Sequence, residues 1–199
     1  MNRRALLIVP LLSGCSVLPD RPYIETRRYA LDPERPSSAP RAARARGVLL
    51  VRTLRAGPGM ETRGLRLLRP DGTLGSTFYD EWLAPPAELA ENALRQWLIA
   101  SGIFTAVTAP GSRLTATVVL EAGLVTLQAE PGQARAAMSA LLLGQASGIG
   151  DPRVLAQRPF EATSPLPPEA SAVQQAAAMQ AALGVVFTQL ERWIASNVL

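Results

Sequence analysis

The chain has 199 residues, 48% hydrophobic and 5% aromatic, with a net charge of +4 and a pI near 10.2. It has no histidine, all 20 of its basic residues are arginines, and Cys15 is its single cysteine. Ser–His and Cys–His nucleophile pairs, Schiff-base and phosphate-loop lysines, imidazole metal ligands and an internal disulfide are thereby excluded, and one domain is the default at this length.

The predicted elements begin with a leader. Met1–Arg4 is short and positive, Ala5–Leu12 is apolar and holds Pro10, and Leu12-Ser13-Gly14-Cys15 follows. The apolar run is far short of the ~20 residues a spanning helix needs. Its layout is that of a secretory signal with small residues before a cut site. The only cysteine stands directly after Leu-Ser-Gly, which resembles the bacterial lipobox. That resemblance implies cleavage between Gly14 and Cys15 and a diacylglyceryl group on the Cys15 thiol. Two or three acyl chains then anchor durably where one binds marginally. In the lipoproteins that this run resembles, Ser16 rather than Asp after the cysteine implies passage to the outer membrane, with the body facing the periplasm. Residues 1–14 are therefore expected to be a lipoprotein signal peptide.

Residues 15–47 read as a lipidated tether. Pro19, Pro22, Pro33, Pro36 and Pro40, with a run of small residues and arginines, give a composition that is extended and poorly packed. The alternation in Arg28-Tyr29-Ala30-Leu31 suits a short edge strand. Residues 16–47 carry seven arginines against four acids, whereas 48–199 carry eleven against twelve. The basicity thus sits in the leader and tether, and a nucleic-acid-binding domain, which needs a basic face on its folded part, is set aside.

Residues 48–199 form the body. Val48–Val51 is apolar on both faces and reads as a central strand. Ala56-Gly57-Pro58-Gly59 breaks the chain, Leu65–Leu68 resumes it, Pro70-Asp71-Gly72 turns it, and Thr73–Trp82 returns. Pro85-Pro86 opens a helix that places Leu89, Ala93, Leu94, Trp97 and Leu98 on one face and ends at Gly102. Ile103–Val107 reads as a short strand. Leu114, Ala116, Val118 and Leu120 then alternate in the clearest strand pattern of the chain, with a bulge expected at Gly123 before it runs on to Ala129. Glu130-Pro131-Gly132-Gln133 turns into an apolar strand over Ala134–Leu143, and Val154–Ala162 is the last strand. Pro165–Pro168 introduces a long helix whose buried stripe is Val173, Leu183, Val186, Phe187, Leu190 and Ile194. The expected fold is α+β: a single mixed, mainly antiparallel sheet with two helices packed on one face.

Candidate chemistry is sparse. Asp80 and Glu81 are adjacent carboxylates, but strand neighbours point to opposite faces. Glu88 and Glu91 share a helix face, where acids suit the dipole. Gly144–Gly150 lacks the spacing and the lysine of a phosphate loop. Trp82, Trp97 and Trp193 read as core or interface anchors, and Ala176, Ala177, Ala178, Ala181 and Ala182 as a close-packing helix surface. No catalytic set, metal site or cofactor site is expected.

With these pieces in order, the chain resembles the ABC-type transport auxiliary lipoprotein family from Tyr29 to about Ile194. The likeness rests on Tyr29-x-Leu31, the Gly64–Arg69 strand with Asp71-Gly72, and Trp82-Leu-Ala-Pro-Pro86. It continues through Leu94-Arg-Gln-Trp-Leu98, Ser101-Gly-Ile-Phe104-x-x-Val107 and Leu190-Glu-Arg-Trp193-Ile194. Gly57–Arg63 is glycine-rich where the family pattern calls for a more regular approach to the strand. The resemblance implies a non-enzymatic outer-membrane lipoprotein that works with an MCE-domain periplasmic protein and an inner-membrane ABC transporter in lipid traffic. It also implies homo-oligomeric rings among the forms the family takes. Two other classes stand beside it: an assembly chaperone or pilotin, and a carboxylate-only hydrolase using Asp80, Glu81, Glu88 and Glu91.

Overall fold

Strands form wherever small and large apolar residues alternate opposite a partner that alternates in step. The structure, a computed structural model, describes residues 22–39, 42, 44–145 and 152–198. In chain order its elements are β1 (Arg27–Tyr29), β2 (Val48–Val51), β3 (Arg55–Ala56), β4 (Gly64–Leu68), β5 (Leu74–Trp82), α1 (Pro86–Ser101), β6 (Ala106–Thr108), β7 (Val118–Glu130), β8 (Gln133–Gly144), β9 (Arg153–Pro165) and α2 (Ala172–Val198). The fold is α+β, with a mixed sheet of nine strands.

β7 is the axis of that sheet. One edge pairs antiparallel with β8 along its whole length, and β8 pairs likewise with β9. The other edge receives β2, β3 and β4 in succession, all parallel. Beyond β7 the sheet forks: β6 flanks β2, while β5 and then β1 flank β4. The long pairings are antiparallel and the parallel ones are short.

Register explains the core. Leu120, Ala122 and Leu124 of β7 stand opposite Leu142, Ala140 and Met138 of β8. A bulge at Val125 then shifts β7 by one residue, so Leu127 and Ala129 stay on the same face opposite Ala136 and Ala134. Without that extra residue every later side chain would change faces. The alanines let α2 approach closely with Ala178, Met179, Ala182, Leu183, Val186, Phe187, Leu190 and Ile194, all buried. α1 adds Ala90, Ala93, Leu94, Trp97 and Leu98, and Trp97 meets Phe187 edge-on at 5.4 Å between ring centroids. Both helices therefore cover one face of the sheet. Each large side chain fully buried there contributes roughly 1.5–3 kcal/mol relative to exposure. α1 starts at Pro86 and ends at Gly102, whose φ of 69° suits the left-handed cap.

Several expectations need correction. Val173 is exposed, because a capping box between Ser171 and Gln174 sets the start and rotation of α2 one turn before the buried stripe. β9 runs on to Pro165, so that residue ends a strand instead of introducing the helix. The alternation over residues 114–117 is loop, and Leu114 is exposed. β8 gives out at Gly144 opposite Val118; Thr117 still donates its N–H to the Val48 carbonyl (2.9 Å) and accepts from Gln145 N–H (3.0 Å), while residues 114–116 pair with no strand among the described residues. Ile103 and Phe104 are buried in the turn after α1, and β6 starts only at Ala106. Gly123 is not the bulge. It lies beside β3, where a Cβ would sit 3.3 Å from the Arg55 carbonyl oxygen and from Ser139 Oγ.

Residues 27–46 also pack more than their composition suggests. Leu31 and Pro33 are buried, Asp32 N–H donates to Gln180 Oε1 (3.1 Å), and the Ala42 and Arg46 N–H groups donate to the Ser101 and Ile103 carbonyls. Proline spaces this segment out, yet the grooves beside α1 and α2 give it somewhere to lie. Of the glycine-rich stretch after β8, residues 146–150 lie outside the described residues.

Candidate functional site

Gly14 and Cys15 lie outside the described residues; the point at which the chain bearing them reaches the body does not. That point is β1, which adds to the edge of β5 in parallel, with Arg27, Arg28 and Tyr29 opposite Asp80, Glu81 and Trp82. Arg27 Nε is 2.8 Å from Asp80 Oδ1, the Tyr29 hydroxyl donates to the same oxygen at 2.7 Å, and Arg28 Nε donates to Glu81 Oε1 at 2.9 Å. Burial pushes the Asp80 carboxyl up, but hydrogen bonds from Arg27 and Tyr29 and the Arg27 charge outweigh it and hold the group below its ordinary value. Burial, with the hydrogen bond to Asp80, raises the Tyr29 phenol. The two adjacent carboxylates thus serve as a clamp on the incoming chain, each with its own cation.

Beside the clamp β5 swells outward. Its register against β4 passes from Arg66 opposite Ser76 to Gly64 opposite Glu81, so two steps on β4 match five on β5. The Thr77 hydroxyl holds this bulge, accepting from Leu65 N–H (2.8 Å) and donating to the Asp80 carbonyl. Phe78 and Tyr79 project from it and meet edge-on, 5.1 Å between centroids, with Phe78 83% exposed. Sequence reasoning took residues 73–82 as a plain hairpin strand and missed this. The one available signal was an aromatic pair next to two acids, a sequence that does not alternate.

A second junction ties the tether to both helices. Glu191 on α2 accepts from Arg35 Nε (2.9 Å) and Nη2 (2.7 Å) and from the Trp97 indole N–H of α1 (2.7 Å). The hydrogen bond to Glu191 raises the Arg35 guanidinium above its ordinary value despite the opposing effect of burial. Glu191 was legible only as part of the Leu190–Ile194 ending, and its role depends on Arg35, far away in sequence. Glu88 and Glu91 do not act together. Glu88 is exposed, whereas Glu91 accepts from the Leu54 N–H (2.9 Å) and from Arg95 (2.7 Å). Trp82 and Trp97 are buried, and Trp193 packs edge-on against Phe160.

Asp80, Glu81, Glu91 and Glu191 are each engaged in holding elements together. Among the described residues no three His, Cys, Asp or Glu side chains cluster to hold a metal ion. The concavities are open. An apolar cleft of about 400 Å³ lies at the hairpin end, lined by Leu67, Pro70, Pro131, Leu166 and Pro168. A groove of about 530 Å³ crosses the sheet beside Arg55, Glu121, Ser139 and Gln157. In the groove Glu121 is paired with Arg52, 2.9 Å away. No helix among the described residues is long and apolar enough to cross a membrane.

Comparison with known proteins gives one family and a fold. The sequence model described as "ABC-type transport auxiliary lipoprotein component" matches residues 29–191, from β1 to the Glu191 junction. No match was found among curated proteins. The crystal structure of protein XCC0632 from Xanthomonas campestris is similar at 22% identity, with a TM-score of 0.70 over 86% of this chain and 96% of that one. A second solved structure, of an uncharacterized protein, is similar at 16% identity with a TM-score of 0.61 over 88% of this chain and 99% of that one. At such identities the likeness shows the shared fold.

Proposed function

The chain belongs to the ABC-type transport auxiliary lipoprotein family, and from that membership we propose that it is the outer-membrane-anchored, periplasm-facing subunit of a lipid transport system. Its partners on this reading are an MCE-domain protein and an ABC transporter, and its role is non-catalytic docking or scaffolding. The family match over residues 29–191 carries the proposal. The lipobox-like Leu12-Ser13-Gly14-Cys15 and the following Ser16 support an acyl anchor on Cys15 and the outer-membrane address. The commitment of Asp80, Glu81, Glu91 and Glu191 to holding elements together supports a scaffold rather than a hydrolase. Self-association into a ring belongs to the same reading. β9 supports it, since its outer edge is unpaired among the described residues and such an edge is a ready template for another strand.

The test is capture in membranes. Cross-linking the lipidated protein in its own cells should recover an MCE-domain protein, and Cys15→Ala should move the chain out of the outer-membrane fraction. Unchanged fractionation of Cys15→Ala sinks the anchor, and repeated failure to recover an MCE-domain protein after cross-linking sinks the partnership.

A further inference from the structure

The bulge on β5 displays what a water-facing strand normally avoids. Phe78 is 83% exposed, Leu74 and Tyr79 on the same strand are about half exposed, and Tyr23 and Ile24, just before β1, stand 90% and 53% exposed. The display is built rather than frayed. Thr77 fixes the bulge to β4, and the Arg27–Asp80–Tyr29 clamp fixes its other end, so the aromatic pair is held between two bonded residues.

Chain length bounds how far this patch can stand from an anchor on Cys15. Tyr23 is eight residues from Cys15, at most ~28 Å even when fully extended. Arg27, four residues on, already pairs with Asp80, the neighbour of Tyr79. An acyl group on Cys15 therefore leaves the bulge free to reach the headgroup region. The chemistry also fits. Tyrosine and phenylalanine beside leucine and isoleucine match the apolar-below, polar-above gradient of a bilayer interface. Arg63, Arg66 and Arg69, on or next to β4, form no salt bridge among the described residues and suit anionic headgroups, although Glu61 and Asp71 stand nearby.

We propose that Phe78 and Tyr79 on the β5 bulge, with Tyr23 and Ile24, form a membrane-contacting patch that seats in the bilayer interface beside the acyl anchor. The inference rests on the Cys15 reading for its geometry and adds a second contact, which stops the body from swivelling on its leash and fixes which face it turns to the periplasm.

Two arms test it. In the first, the full lipidated protein carrying Phe78→Trp is placed in phosphatidylethanolamine–phosphatidylglycerol vesicles with brominated acyl chains. Its added tryptophan emission should be quenched at least threefold more than that of Ile99→Trp, at an exposed site on α1. Equal quenching at the two sites overturns the proposal, as does shielding of position 78 that appears only when a second protein is added. In the second arm, a chain starting at residue 15 with Cys15→Ser, which keeps every described strand and helix, is co-sedimented with unbrominated vesicles of the same lipids. Adding Phe78→Ser and Tyr79→Ser should weaken its binding at least fivefold while leaving its thermal unfolding unchanged, since both side chains are exposed. Undiminished binding overturns the patch. If cellular Cys15 carries no acyl mass but the second arm shows the loss, the anchor reading fails and the patch stands.

Discussion

Replacing Glu191 by alanine should weaken the tether's hold on both helices at once. The change removes the bidentate contact to Arg35 and the acceptor of the Trp97 indole N–H, all at 2.7–2.9 Å. Exposed ion pairs contribute at most about 1 kcal/mol, whereas removing one partner of a fully buried pair costs about 3–5 kcal/mol. The Arg35 and Glu191 side chains are 14% and 13% exposed, between those limits but nearer the second. The expected loss for Glu191→Ala is therefore about 2–3 kcal/mol, or roughly 5–10 °C in Tm for a chain of this size. Glu191→Gln keeps an acceptor for Trp97 but loses the charge, so about 1–1.5 kcal/mol is expected. Urea unfolding followed by Trp fluorescence reads both, with the midpoint shifting at constant slope. Arg35 also donates to the Ala39 carbonyl, so Arg35→Ala alone is ambiguous. The Arg35/Glu191 double-mutant cycle should show a coupling of about 1 kcal/mol or more. A loss below about 0.5 kcal/mol for Glu191→Ala, or no coupling in the cycle, refutes the argument that this junction pins the tether.

Two further changes probe the sheet edge. Gly57 N–H donates to the Leu124 carbonyl, and a Cβ at position 57 would stand 2.8 Å from the Val125 carbonyl oxygen and 2.9 Å from that of Leu124. Backbone cannot yield as a flexible side chain can, so Gly57→Ala should cost about 1–3 kcal/mol by overpacking; wild-type stability in urea would show that the close approach is dispensable. The Asp80 carboxyl is depressed in the folded chain, so its contribution is present above the unfolded value near 3.9 and is lost as pH falls through the lower folded value. Asp80→Asn should flatten the acid limb of stability below about pH 4, and amide exchange of Arg27–Tyr29 should rise with acid in the wild type alone. An acid limb of the same slope in Asp80→Asn removes the clamp from the account.

Elements governed by nearby residues were readable from the chain itself. Proline at the start and glycine at the left-handed end delimit α1 whatever surrounds it. Gly72 and Gly132, at φ 82° and 81°, turn the β4–β5 and β7–β8 hairpins because only their own backbones need that freedom. The apolar run Ala134–Leu143 marks β8, with Ala134, Ala136, Met138, Ala140 and Leu142 on its buried face. The lipobox-like run is local in the same sense. Where the chain misled, the deciding partner lay far away. Residues 114–116 alternate like a strand but meet none among the described residues, and Val125 rather than Gly123 bulges because the core face must be kept in step with Met138 and Ala136 across the hairpin.

Composition, period and turn chemistry thus determined an α+β body, because each depends on φ limits and burial patterns within a few residues. The forked sheet, the β5 bulge, the clamp of Arg27 on Asp80 and the seat of Arg35 on Glu191 arose only on assembly. They join residues 53 and 156 positions apart, and no local preference encodes which distant edge or carboxylate a strand or arginine will find.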